Sequence, residues 1–270
     1  MTSAEITSIS NPLVRRLRKL RHRKYRTSEG VFLVEGIAHV RQAIDHGAPI
    51  EYLIVAPDLL TSGPALAAVD SQAACGTEVV HLGREAFESI MERDHPSGLA
   101  ATVRIEDLPL EALTSGEGGL FAAIHDVGNP GNLGSIIRTV DAVGGSGVIV
   151  VGDSTDHRHP AAVKASMGTI FTVPVCTARD LDDVMTWAAM ESVEVVATSA
   201  KARASVWATE LPRPVLMLFG SEATGLPQEV VARATTVGLP MSGAASSLNL
   251  AVAAGILLYE WKRQGRDEQN

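Results

Sequence analysis

The chain has 270 residues and carries 31 acidic residues against 23 Lys and Arg, a formal net charge of -8. Spread evenly, that charge would argue against nucleic acid as a partner, so any such contact has to be local. The length suits two ordinary domains, and the 46% hydrophobic content supports sizeable cores, filled by Leu, Val, Ile and Ala because aromatics are only 4%. No apolar run approaches the roughly 18 residues that span a bilayer, and the opening MTSAEITSISNP lacks the basic-then-apolar order of a signal peptide. A cytoplasmic protein without membrane contact is expected. Cys75 and Cys176 are expected to be reduced, structural thiols, and no Cys or His cluster has the spacing of a metal site.

The charge is not evenly spread. Residues 13–26, LVRRLRKLRHRKYR, hold eight Lys or Arg and no acid, leaving 15 basic residues against 31 acidic ones elsewhere. Asn11 and Pro12 make a helix start, and Leu13, Leu17 and Leu20 recur at helical spacing, which predicts one amphipathic basic helix. Its bland reading is a solvated helix that packs its leucines on the body. The favoured reading is contact with phosphates through Arg15, Arg16, Arg18, Lys19, Arg21, Arg23, Lys24 and Arg26, because like charges so close together repel unless an anion lies nearby.

From residue 31 strands and helices alternate. VFLVEG, EYLIVAP and TEVVHLG read as strands, IAHVRQAIDHG, GPALAAVDSQAAC and REAFESIMERD as helices, and SGLAATVRIEDLPLEAL as one more strand. A small α/β domain over residues 1–105 is expected, followed by a linker over 106–118 that contains TSGEGG. The second domain, 119–270, opens with the strand GLFAAIHDV. It continues through the strands GVIVVG, TVPVC, VEVVATSA, PVLMLFGS and TTVGLPM, alternating with the helices AAVKASMG, LDDVMTWAAME and LPQEVVARA, and ends in the long helix LNLAVAAGILLYEWKRQ. That alternation predicts a largely parallel sheet covered on both faces.

Such sheets bind ligands beyond the carboxyl ends of their strands. Three glycine-rich or polar islands fall there: NPGNLGSIIR, within HDVGNPGNLGSIIRTVDAVGGSG at 125–147, then FGSEATGLP, then LPMSGAASSLN. Their small residues let backbone approach a ligand closely, yet none has the spacing of a phosphate-binding lysine loop or a dinucleotide fingerprint. Arg138, inside the helix pattern after the first island, has no use in a dinucleotide fold. His125, His157 and His159 show no metal-ligand spacing.

Taken together, the three islands resemble the motifs of the SpoU/TrmH family of RNA ribose 2'-O-methyltransferases, over residues 119 to 264. NPLVRRLRKLRHRKYRTSEGVFLVEG resembles the opening of that family's substrate-binding module. The resemblance implies an α/β fold: a C-terminal SPOUT-type parallel sheet with a deep trefoil knot, plus a smaller L30e-like N-terminal α/β domain. It implies S-adenosyl-L-methionine as cofactor, held by Gly220, Leu239 and Leu248, and catalytic roles for Asn132, Arg138, Glu222, Ser247 and Asn249. It also implies a homodimer through the C-terminal domain, in which the arginine completes the partner's site, and methylation of structured RNA, with 23S ribosomal RNA first, transfer RNA second and a non-catalytic ribosome-assembly role third. Lys164 and Ser166 belong to a segment that would line the RNA path. Asn129, where relatives usually have Asp, and Ala251, where many have a small hydroxyl residue, depart mildly from the pattern. Structural roles compete at each position. Glu222 would cap a helix or pair bidentately with Arg138, Asn132 and Asn249 would hold turns, and Ser247 would cap the last helix.

Overall fold

The computed structural model describes residues 5–92, 95–116 and 118–267. The chain runs through α1 (Pro12–Lys19), α2 (Arg23–Glu29), β1 (Val31–Glu35), α3 (Ile37–Asp45), β2 (Ile50–Val55), α4 (Gly63–Ala74), β3 (Glu78–His81), α5 (Arg84–Glu88) and β4 (Leu99–Arg104). It continues through β5 (Leu120–His125), α6 (Pro130–Val143), β6 (Gly147–Val151), α7 (Pro160–Ser166), β7 (Val175–Ala178), α8 (Leu181–Met190) and β8 (Glu194–Thr198). The last elements are β9 (Ala204–Ser205), β10 (Val215–Phe219), α9 (Gln228–Val231), β11 (Thr235–Gly238) and α10 (Leu250–Asp267). Two compact units result. Met1–Glu106 and Arg158–Phe171 form the first, Asp107–His157 and Thr172–Asn270 the second.

In the first unit a mixed four-stranded sheet of order β1-β4-β2-β3 separates two apolar layers. Val14, Leu17 and Leu20 pack with Phe87 and Ile90 on one face. Val40, Ala43, Ala65 and Val69 pack on the other, where they are joined by Val163 of α7. Phe171 stacks on Phe32 at 6.4 Å between centroids, so the excursion from 158 to 171 supplies part of this unit's core.

The single basic helix expected from residues 13–26 is instead two helices. Asn11 caps α1 by accepting the Leu13 N–H at 2.9 Å, but the helix stops at Lys19 and α2 begins at Arg23. No Gly or Pro marks the break. The guanidinium of Arg26 turns inward and donates to the carbonyls of Leu20 and Arg21, both at 2.8 Å, satisfying acceptors that the end of α1 frees. The helix expected over REAFESIMERD is also cut short at Glu88, where Ser89 donates to the Ala86 carbonyl and Arg21 takes the carbonyls of Ser89 and Met91. Arg93 and Asp94 of that stretch, and Glu117 of TSGEGG, lie outside the described residues.

The second unit is built on a seven-stranded sheet of order β7-β6-β5-β10-β8-β11-β9, in which every neighbouring pair is parallel. Alternation along β5 shows why both faces are covered. Leu120, Ala122 and Ile124 face a layer formed by α6 and α10, while Phe121 and Ala123 face one formed by α8 and α9. The two-residue strand β9 and the 3-10 turn at Val206–Ala208 were not expected from the sequence. An all-parallel sheet delivers every strand's carboxyl end to one edge, and all three motif loops leave from there.

Candidate active site

The first motif loop follows β5 and is closed by Asn129, whose Oδ1 accepts the N–H groups of Gly131 at 2.8 Å and Asn132 at 3.3 Å. Pro130 sits where the helix has no N–H to satisfy, so α6 begins there and carries Asn132 in its first turn, only 8% exposed. The second loop follows β10. A Cβ on Gly220 would lie 2.3 Å from the Gly225 carbonyl carbon and 2.4 Å from the Leu226 nitrogen, so only glycine fits this turn, which brings Glu222 to its tip. The third loop follows β11 and ends at Asn249, whose Oδ1 accepts the N–H groups of Ala251 at 3.0 Å and Val252 at 3.3 Å. Asn249, not Ser247, therefore caps α10. Ser247 is exposed and hydrogen-bonds to nothing among the described residues.

These three loops are tied by one chain of side-chain hydrogen bonds. Asn132 Nδ2 donates to Glu222 Oε1 at 2.6 Å, and Asn249 Nδ2 donates to Asn132 Oδ1 at 3.1 Å. Both ends of the Asn132 amide are used, which fixes its orientation. The carboxylate acceptor makes the first bond the stronger. Glu222 thus pairs with Asn132. The bidentate pair with Arg138 that the sequence suggested is not formed, and the helix after Glu222 has Pro227 at its N-cap position with no side-chain cap. Arg138 is exposed, with no hydrogen bond or ion pair among the described residues. It stands six positions after Asn132, about 9 Å further along α6 and about a third of a turn around it.

Beside Glu222 and Asn249, beyond the ends of β8, β10 and β11, lies a cavity of about 1130 Å³. That is large for a small-molecule site, which usually runs from about 300 to 1,000 Å³. Its walls are the turns Thr198–Ala204, Phe219–Leu226 and Ser246–Leu250, with Leu239, Met241 and Leu257. Gly220, Leu239 and Leu248 are all among them, with Glu222, Ser247 and Asn249. Apolar side chains, a turn that only glycine permits and a few charged groups suit an adenosine with a charged tail. The wall at 198–204, with Lys201 and Arg203, was missed in the sequence. The one signal there was the absence of any acid between Glu194 and Glu210, just after a strand.

The eight basic residues near the N-terminus divide into two sets. Arg16 pairs with Glu29 at 2.8 Å and Glu51 at 3.2 Å, Arg18 donates to Ser89 Oγ, Arg21 donates to two carbonyls and Arg26 is buried. These four hold the first unit together. Arg15, Lys19, Arg23 and Lys24 are exposed, with Lys19 over the Tyr25 ring at 5.1 Å. Ser166 is buried and donates to the Val163 carbonyl, whereas Lys164 is exposed.

Comparison with known proteins places the molecule. Residues 119–259 match the SpoU rRNA methylase family, and residues 11–101 match the MRM3-like substrate binding domain. The chain belongs to the SpoU rRNA methylase family. As a member it is an S-adenosyl-L-methionine-dependent RNA 2'-O-ribose methyltransferase with an N-terminal substrate-binding domain. A crystal structure of an AdoMet-bound rRNA methyltransferase from Sinorhizobium meliloti superposes with a TM-score of 0.88 at 34% identity, over 96% of this chain and 97% of that one. The 23S rRNA (uridine(2479)-2'-O)-methyltransferase of Streptomyces viridochromogenes is 32% identical over 91% of this chain and 87% of its own. The 23S rRNA (guanosine(2553)-2'-O)-methyltransferase RlmP of Bacillus subtilis is 28% identical over 94% and 98%. Among the described residues no helix is long and apolar enough to cross a membrane.

Proposed function

We propose that this protein methylates a ribose 2'-hydroxyl of 23S ribosomal RNA, in the cytoplasm and as a homodimer formed through its second unit. The observation that carries the reading is the Glu222–Asn132–Asn249 chain, which joins three motif loops beside a cavity suited to the cofactor. Two relatives named for 23S rRNA act on a uridine and a guanosine respectively, which supports the RNA as the common substrate and leaves the nucleotide to the substrate-binding unit. The exposed Arg15, Lys19, Arg23 and Lys24 contact its phosphates. In this reading the C-terminal strands and helix of the second unit fold through a deep trefoil knot, and the first unit is L30e-like.

When bound, the cofactor supplies an electrophilic methyl group on a sulfonium. Gly220, Leu239 and Leu248, which line the cavity, would hold it, largely through backbone. Asn132 locks Glu222 and Asn249 into one geometry, so the acceptor ribose meets a prearranged set of polar groups. Arg138 does not act as the base, because a guanidinium presents only donors and no acceptor for the proton. It clamps the phosphate beside the acceptor ribose and stabilises charge growing on the 2'-oxygen, while solvent or that phosphate takes the proton. Its offset from Asn132 along α6 suits an arginine that completes the site of the second subunit. Val252 and Tyr259, 51% and 55% exposed, lie two turns apart on α10 and follow the exposed Leu248, an apolar stripe for the partner copy to cover.

The test is transfer of radiolabelled methyl from S-adenosyl-L-methionine to total RNA from a strain lacking the gene, with sizing and ribose-methylation mapping. Label in 23S RNA that vanishes with Arg138→Ala supports the proposal. Label confined to RNA of transfer-RNA size overturns the substrate assignment.

A further inference from the structure

The cavity has an uneven charge. Of its lining residues only Glu222, Lys201 and Arg203 are charged. Glu222 belongs to the turn after β10 and is engaged by Asn132. Lys201 and Arg203 belong to the turn after β8, are exposed, and pair with no acid among the described residues. That turn is built rather than loose. Ser199 donates its N–H to the Val237 carbonyl at 3.0 Å, its Oγ accepts the Lys201 N–H at 3.1 Å, and its carbonyl accepts the Ala202 N–H at 3.2 Å. Gly238 lets β11 pass close by, since a Cβ there would fall 2.5 Å from the Ser199 carbonyl oxygen.

A cavity with an acid on one turn and two unpaired cations on another suits a dipolar ligand. The cofactor's amino-acid tail has one anionic group, its carboxylate, and its ammonium and sulfonium are cationic. We infer that Lys201 and Arg203 hold the carboxylate of the cofactor's methionine tail, and that this contact orients the tail so that the positive centres lie toward Glu222. The inference rests on the reading of this cavity as the cofactor site. Here the two residues position a ligand; they move no proton and touch no reacting atom.

Calorimetric titration of the full-length protein with S-adenosylhomocysteine and with 5'-methylthioadenosine tests it, because the second compound keeps the adenosine and sulfur but lacks the tail. Lys201→Ala/Arg203→Ala is expected to weaken S-adenosylhomocysteine binding by about tenfold, the scale of two partly solvated ion pairs, and to leave 5'-methylthioadenosine unchanged. Lys201→Arg/Arg203→Lys should restore most of the loss. Equal weakening of both compounds, or an unchanged ratio accompanied by a lower RNA affinity and a shallower salt dependence, overturns the assignment; the latter points to an RNA phosphate. If the wild type binds neither compound, the cofactor-site reading falls first and takes this one with it.

Discussion

Removing the Asn132 side chain should uncouple the three loops in a measurable way. Asn132→Ala deletes one hydrogen bond to a carboxylate and one to an amide. Bonds to charged groups contribute roughly 1.5–3 kcal/mol and neutral ones about 1 kcal/mol, but Glu222 and Asn249 are exposed and regain water. A net loss of about 1.5–2.5 kcal/mol follows, or roughly 4–8 °C in Tm for a unit of this size. In a double-mutant cycle with Glu222→Ala, the coupling energy should be about 1–1.5 kcal/mol. Between Glu222 and Asn249, which share only Asn132, it should stay below about 0.5 kcal/mol. All three tryptophans, Trp187, Trp207 and Trp261, belong to the second unit, so tryptophan fluorescence during denaturation follows that unit alone. Additivity of Asn132→Ala and Glu222→Ala within about 0.3 kcal/mol would refute the network.

Four further outcomes follow from the geometry. In the homodimer proposed above, mixing Arg138→Ala protein with Asn249→Ala protein should restore up to about a quarter of wild-type methyl transfer after subunit exchange, because one site in each mixed dimer would have both groups; no recovery means that the arginine serves its own subunit. Gly220→Ala should cut S-adenosylhomocysteine affinity by more than about tenfold, since its Cβ has no space, and calorimetry reads the loss directly. Burial pushes the Cys176 thiol up to about 12, so at pH 8 a thiol reagent should titrate Cys75 alone in the native protein and both residues in denaturant. The hydrogen bond from Arg263 holds the Glu260 carboxyl below the usual range. Its stabilisation is full above the ordinary carboxylate pKa and is lost as pH falls through the depressed value, so Glu260→Gln should flatten the acid limb of a Tm-against-pH curve.

Much of the sheet was legible because buried parallel strands such as GVIVVG and PVLMLFGS are unbroken apolar runs bounded by turn residues. The basic segment was misread because its break is made by Arg26 reaching back to Leu20 and Arg21, a contact without a Gly or Pro signal. The motif residues were legible through family resemblance, but their connectivity was not. Asn132, Glu222 and Asn249 are far apart in sequence, and strand order, not spacing, brings them together. The Arg138–Glu222 pair and the Ser247 cap were sound chemical guesses for which better partners, Asn132 and Asn249, stood nearby in space. Lys201 and Arg203 passed unnoticed because two isolated cations carry no pattern.

The excursion from Arg158 to Phe171 makes the two units topologically inseparable by a single cut. The backbone passes from one to the other at residues 106–107, 157–158 and 171–172. A fragment ending at Glu106 would lack Val163 and Phe171 and expose the apolar face they cover. Exchange of RNA-recognition modules between relatives therefore takes three junctions, and any chimera that moves only the N-terminal third joins one protein's sheet to another protein's packing helix.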